Sequence, residues 1–348
     1  MTAAEPGPAL EPPPEQAPLR ADLVCEGGGV KGIALAGAVD ALAQAGYAFP
    51  RAAGSSAGAI VASLVAALQV AGEPVSRLGE LVRSVDYRRF RDESRLGRVP
   101  LVGGALALLA QDGLYEGAYL EDFLTGALGE LGERTFGDLR IPAGDDPLSG
   151  LPTGRDYRLV VTASDLSRRR LVRLPWDLPA YGVDPDDYPV ARAVRASAAI
   201  PFFFQPVRQA TPQGEAAWVD GGLLSNFPVG LFDRGDSLDP RWPTFGVRLS
   251  ARPGAAPLTR QLDGPLALGL AAVEALLLSQ DTAYVEEPCT VSRTVFVPTE
   301  GVSPIDFGLT EQVQDVLWDA GGRAAAGFLA GWDFERYVAT CRRRLDAS

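Results

Sequence analysis

The sequence predicts an α/β fold with a mostly parallel central sheet flanked by helices. Three observations lead there. A short apolar stretch, Asp22 to Glu26, runs straight into Gly27-Gly28-Gly29 and then into the Ala- and Leu-rich run Ile33 to Ala45, the pattern of strand, tight turn and helix. The pattern recurs: Tyr47 to Ala53 reads as a strand, Gly54-Ser55-Ser56-Ala57-Gly58 as a turn, and the apolar residues to Val70 as a helix. Further strand-like runs follow at Tyr157 to Ser164, Trp218 to Asp220 and Thr244 to Leu249, separated by Pro- and Gly-containing loops such as Ile141 to Gly154. Alternation of this kind favours parallel pairing.

The elements group into three regions. Residues 1–20 carry Pro6, Pro8, Pro12, Pro13, Pro14 and Pro18 with no apolar stretch, and read as an extended, disordered leader and not a signal peptide. Residues 21–250 hold the strands and glycine turns of one catalytic core, with an insertion or lid near 77–115. That insertion is rich in arginine from Arg77 to Arg98, but Asp86, Asp92 and Glu93 are interspersed, the pattern of a solvated, partly ion-paired surface. Residues 251–348 offer two helical patterns, Gly264 to Val285 and Glu311 to Ala330, expected as a helical extension packed on the core.

Composition removes several function classes. The net charge of −12 and a pI near 4.7 disfavour nucleic-acid binding, which needs clustered Lys and Arg to release counterions. A mean hydropathy of +0.05 is that of a globular chain. The apolar run Leu101 to Ala110 is about half the roughly 20 residues of a membrane span, so a cytoplasmic protein is expected. Cys25, Cys289 and Cys341 are widely spaced and odd in number, and read as separate thiols. There is no histidine, which removes the commonest metal ligand and the commonest general base together. Neither a metal nor an organic cofactor is expected.

Three short motifs carry the chemistry. Gly54-Ser55-Ser56-Ala57-Gly58 fits the G-x-S-x-G elbow, whose spacing selects Ser56 as nucleophile over Ser55; the alternative is a small-residue turn without catalytic consequence. Gly27-Gly28-Gly29-Val30-Lys31-Gly32 matches a dinucleotide fingerprint, but no acidic residue lies in the strand about 20 positions on, where the ribose would want one. The other use of such a turn is an oxyanion hole built from bare amides. Lys31 is the sole lysine among 32 basic residues, and is either an auxiliary cation near an oxyanion or phosphate, or a structural ion-pair partner. Asp220-Gly221-Gly222 ends a strand and is either an Asx turn or the base that a serine requires in a chain without imidazole.

The order Gly-Gly-Gly-x-Lys-Gly, Gly-x-Ser-x-Gly, Asp-Gly-Gly, with the intervening stretch Arg195-Ala196-Ser197-Ala198-Ala199-Ile200-Pro201-Phe202-Phe203-Phe204-Gln205-Pro206, resembles the patatin-like phospholipases over residues 21–249. The resemblance implies a three-layer hydrolase core and a Ser-Asp dyad: Ser56 attacks an ester carbonyl, Asp220 takes its proton, and amides of Gly27, Gly28, Gly29 and Ala57 hold the oxyanion. It further implies a lipid ester as substrate and transient contact with a membrane surface, and it names no activating partner. A thioesterase, or a non-catalytic lipid-binding or regulatory protein on the same fold, is the alternative. Phe202 to Phe204 either line an acyl pocket or belong to the core.

Overall fold

The computed structural model describes residues 18–90, 113–142, 145–146, 150–236, 238–249, 275–276, 287–304 and 306–342. The chain opens with β1 (Leu19–Arg20) and β2 (Asp22–Cys25), then α1 (Gly32–Gln44). Next come β3 (Tyr47–Ala48), β4 (Ala52–Gly54), α2 (Ala57–Val70) and α3 (Leu78–Arg83). The single strand expected over 47–53 is thus broken at Phe49-Pro50-Arg51, because proline cannot donate to a ladder. The outer piece β3 pairs with β1, so Leu19 and Arg20 belong to the folded chain and not to the leader.

After β5 (Gly113–Tyr115) and α4 (Ala118–Glu130) come β6 (Leu159–Asp165), β7 (Arg170–Leu174) and α5 (Val190–Ser197). There follow β8 (Phe202–Phe204), β9 (Val207–Thr211), β10 (Gly214–Asp220) and β11 (Thr244–Arg248). The last elements are α6 (Pro288–Ser292), β12 (Thr294–Phe296), α7 (Glu311–Leu329) and α8 (Phe334–Cys341). Thr310 and Asp333 cap α7 and α8 by accepting the amides of Val313 and Arg336.

The molecule is a mixed α/β fold whose central, mostly parallel sheet is flanked by helices. The main sheet runs β12-β11-β2-β4-β6-β10-β9, with β7 also on β6. Pairing is parallel from β12 through β6, and antiparallel where β6 meets β7 and β10 and where β10 meets β9. Strands β2, β4, β6 and β11 are buried along their whole length, as parallel strands covered on both faces must be. One face packs on the apolar residues of α1, α2 and α5. The other carries a smaller cluster in which Val24, Ala53 and Val160 meet Phe227, Val229 and Phe232.

The C-terminal part is more than a helical extension. It supplies the edge strand β12, and α7 lies on α1 with the Gly321 position against the Ala34 carbonyl and the Gly37 position against the Trp318 carbonyl. The helix expected over 264–285 lies outside the described residues apart from 275–276. The insertion near 77–115 is described at its ends only: Arg77 pairs with Glu73 at 3.1 Å and Arg83 with Asp315 at 2.6 Å, both acids lying outside the insertion, while Arg91, Asp92, Glu93, Arg95, Arg98 and the 101–110 run lie outside the described residues. The expectation of three separate thiols is overturned. Cys25 is a free, buried thiol, but Cys289 and Cys341 form a disulfide with Cα atoms 5.5 Å apart. Folding β12 and α7 back on the sheet brings together residues that sequence spacing kept apart.

Candidate active site

Strand register sets the site. Cys25 of β2 lies opposite Gly54 of β4, Gly54 lies opposite Val161 of β6, and two residues further along β6 Ala163 lies opposite Asp220 of β10. The glycine turn after β2, the elbow after β4 and the aspartate ending β10 therefore converge at the carboxyl edge of the parallel strands, the place where open α/β sheets bind ligands.

The elbow is held in a conformation that a non-glycine residue adopts only under constraint. Ser56 sits at φ 52° and ψ −122° as the N-cap of α2, a state that costs on the order of 1–3 kcal/mol. Its flanking glycines are steric necessities. A Cβ on Gly58 would run into the Cys25 and Glu26 carbonyl oxygens, and one on Gly54 into the backbone of Gly58, so the first turn of α2 rests directly on the end of β2. Ser55 points elsewhere: its hydroxyl bonds Thr162 Oγ1 at 2.6 Å and donates to the Ser225 carbonyl at 2.7 Å. It fastens the elbow to the segment after Asp220.

Asp220 is fully buried. Its Oδ1 accepts the Gly222 amide at 2.8 Å, and its own amide donates to the Ala199 carbonyl at 2.9 Å. Burial pushes its pKa up to about 7, against hydrogen bonds from the Ser56 hydroxyl and the Gly222 amide that pull it down. The Ser56 hydroxyl is the larger of the two groups that favour the carboxylate, while Oδ2 has no partner of strict hydrogen-bond geometry among the described residues. The site is nearly closed, with Ser56 6% exposed.

The glycine turn divides its amides. Gly27 donates to the Asn226 carbonyl at 3.1 Å, so this amide is committed to the backbone, which corrects its expected place in an oxyanion hole. Among the described residues the amides of Gly28, Gly29 and Ala57 have no such bond. Gly29 is left-handed, φ 58°, and a Cβ there would strike the Pro304 carbonyl, which instead accepts the Val30 amide at 2.9 Å. Lys31 ends the turn half-buried. Phe203 and Phe204 are core residues, clustered with Tyr115 and Phe307, whereas Phe202 is exposed. Among the described residues no group of three or more His, Cys, Asp or Glu side chains is placed to hold a metal ion.

Two contributors escaped the sequence. Ser197 accepts the Ser56 amide on its Oγ at 2.9 Å, and Asn226 both receives the Gly27 amide and donates Nδ2 to the Gly27 carbonyl at 3.3 Å. Ser197 lies in the Ala-Ser-Ala-Ala run of the stretch Arg195 to Pro206, and Asn226 shortly after Asp220-Gly221-Gly222, but nothing local says what either touches. Asp165, also near a strand end, is structural: it accepts the Tyr181 hydroxyl at 2.8 Å and the Arg168 amide at 3.0 Å.

The family model described as patatin-like phospholipase matches residues 23–233, a span that includes all three motifs. The chain belongs to the patatin-like phospholipase family. Its relatives include the uncharacterized Bacillus subtilis (strain 168) protein YqhO, 36% identical over 314 residues, which make up 90% of this chain and 99% of that one. Among solved structures, VipD from Legionella pneumophila aligns with TM-score 0.51 and 18% identity over 90% of this chain and 67% of its own. The type III effector ExoU aligns with TM-score 0.45 and 18% identity over 90% of this chain and 53% of its own. As a patatin-like phospholipase the chain is of a lipid hydrolase type. No helix among the described residues is long and apolar enough to cross a membrane.

Proposed function

We propose that this patatin-like chain hydrolyses carboxylic esters of phospholipids or simpler lipids through an acyl-enzyme on Ser56, with Asp220 as direct general base. The observation that carries the reading is a strained elbow serine whose hydroxyl favours the ionised form of a buried carboxyl, itself raised to about 7 by desolvation. A base of that pKa is matched to proton transfer at neutral pH. In the first half-reaction Ser56 Oγ bonds to the carbonyl carbon while its proton passes to Asp220. The amides of Gly28, Gly29 and Ala57, unengaged by the backbone, receive the charge on the former carbonyl oxygen, helped by the N-terminal field of α2. Collapse breaks the ester C–O bond, and the leaving alkoxide takes the proton from Asp220. In the second half-reaction water gives its proton to Asp220 and attacks the acyl carbon, Ser56 leaves with that proton, and the fatty acid departs.

The test is covalent. A fluorophosphonate probe should label the native protein at Ser56 on peptide mapping, and Ser56→Ala should lose both labelling and ester hydrolysis with an unchanged melting temperature. Hydrolysis at the native rate by the alanine variant would overturn the proposal.

A further inference from the structure

We infer that Ser197, at the end of α5, is a positioning residue that holds the nucleophile in its reactive conformation while the same turn of chain holds the base. The inference rests on the Ser56–Asp220 reading. Ser197 is fully buried, and its Oγ accepts the Ser56 amide at 2.9 Å. Two residues later the Ala199 carbonyl accepts the Asp220 amide at 2.9 Å. The nucleophile and the base stand 164 positions apart (220 − 56) on different elements, yet both backbones are tied to one three-residue stretch, 197–199.

That stretch is itself anchored. Arg195 is buried and reaches from α5 to the Glu116 carbonyl and, at 2.9 Å, to the Gln205 carbonyl. The Ala198 amide continues the α5 ladder to the Val194 carbonyl at 3.0 Å. A rigid post of this kind is what an unfavourable φ needs, since strain persists only where the surroundings over-determine it. Without the Ser197 hydroxyl the Ser56 amide is a buried donor with no acceptor, and the elbow regains freedom to relax toward the ordinary helical or extended regions. Relaxation swings Oγ away from Asp220 and from the unengaged amides, while the acyl-binding surface is left as it was. Loss therefore falls on kcat and not on KM.

The experiment compares Ser197→Ala, Ser197→Thr and Ser63→Ala in the full chain with a soluble p-nitrophenyl ester. Readouts are kcat, KM, the second-order rate of fluorophosphonate labelling and the melting temperature. Ser63 is an apt control: it is buried in α2, and its hydroxyl donates to the Ile60 carbonyl at 2.8 Å, within its own helix and two turns along from Ser56. Ser197→Ala should lower kcat and the labelling rate together, by about 10- to 100-fold, with KM within about twofold. The acid limb set by Asp220 should move to higher pH, because the Ser56 hydroxyl that lowers its pKa has swung away, while the Ala199 bond keeps the base itself in place. Ser197→Thr, which returns a hydroxyl, should recover most of the loss, and Ser63→Ala should keep the native kcat. Native kcat in Ser197→Ala, or an equal fall in Ser63→Ala, overturns the inference. If Ser56→Ala, run alongside, remains active, the fault lies instead in the dyad reading.

Discussion

Two opposing environments meet at Asp220. Full burial raises the cost of the carboxylate, and the Ser56 hydroxyl and Gly222 amide lower it, with burial the larger effect and a pKa of about 7 as the result. Since only the ionised carboxyl accepts the serine proton, kcat/KM should rise with pH through a single ionisation near 7 and level off above it. Asp220→Asn, nearly the same shape, should lose at least about 100-fold, the low end of general-base contributions. A pH–rate profile of both proteins checks this, and an asparagine variant close to native activity would assign the base elsewhere. Ser56 and Asp220, the proposed nucleophile and base, could be singled out in the sequence because a motif spacing and the missing histidine pointed at them. Ser197 was not, since it acts across 141 positions through a hydroxyl that could equally have faced solvent. The commitment of the Gly27 amide to Asn226 was hidden for the same reason: three adjacent glycines look alike until the chain that crosses them is known.

Elements with a clear period or a full apolar run were readable: β2, α1, α2, β6, β11 and α7 all form within a few residues of their expected positions. The short or half-exposed ones were not. β12 has three residues, and β9 has a single buried position, Val207, followed by alternately exposed and half-buried ones with no strong apolar face. They are strands because a neighbour offers an open edge, which is tertiary information. The packing of α7 on α1 gives a prediction at this scale. Gly321 and Gly322 are adjacent in one helix, but a Cβ on Gly321 would collide with the Ala34 carbonyl, while one on Gly322 meets nothing within 4 Å. Gly322→Ala should stabilise by about 1 kcal/mol through helix propensity. Gly321→Ala should destabilise by about 1–3 kcal/mol because the helices must separate. Urea denaturation of the two variants should show opposite signs, and two shifts of the same sign would contradict the close contact.

For the whole molecule, the buried carboxyls link stability to pH. Asp22, at the far end of β2 from the glycine turn, is also raised to about 7, chiefly by burial, against a Trp242 hydrogen bond and the charges of Arg51 and Arg241. An unfolded aspartate titrates near 3.9. Between about pH 4 and pH 7 the folded protein therefore holds protons that the unfolded chain has released, and unfolding free energy falls as pH rises through that window. Denaturant midpoints should be higher at pH 5 than at pH 8, and Asp220→Asn should shrink the difference by removing one of the carboxyls that burial raises, the others being Asp22, Asp40 and Glu133 among the described residues. A midpoint that rises from pH 5 to pH 8, or a difference untouched by the asparagine variant, would count against these burial effects.

The bridge between Cys289 and Cys341 spans 52 positions and makes a ring of the chain that carries β12 and α7. A single cut within that ring, in the exposed turns around 300–303 or 330–333, cannot release a fragment: the two pieces stay joined through sulfur and migrate as one until a reductant opens the bond. The edge strand and the helix that covers α1 thus share one covalent fate, and an intact mass on a non-reducing gel says nothing about whether the backbone between them is whole.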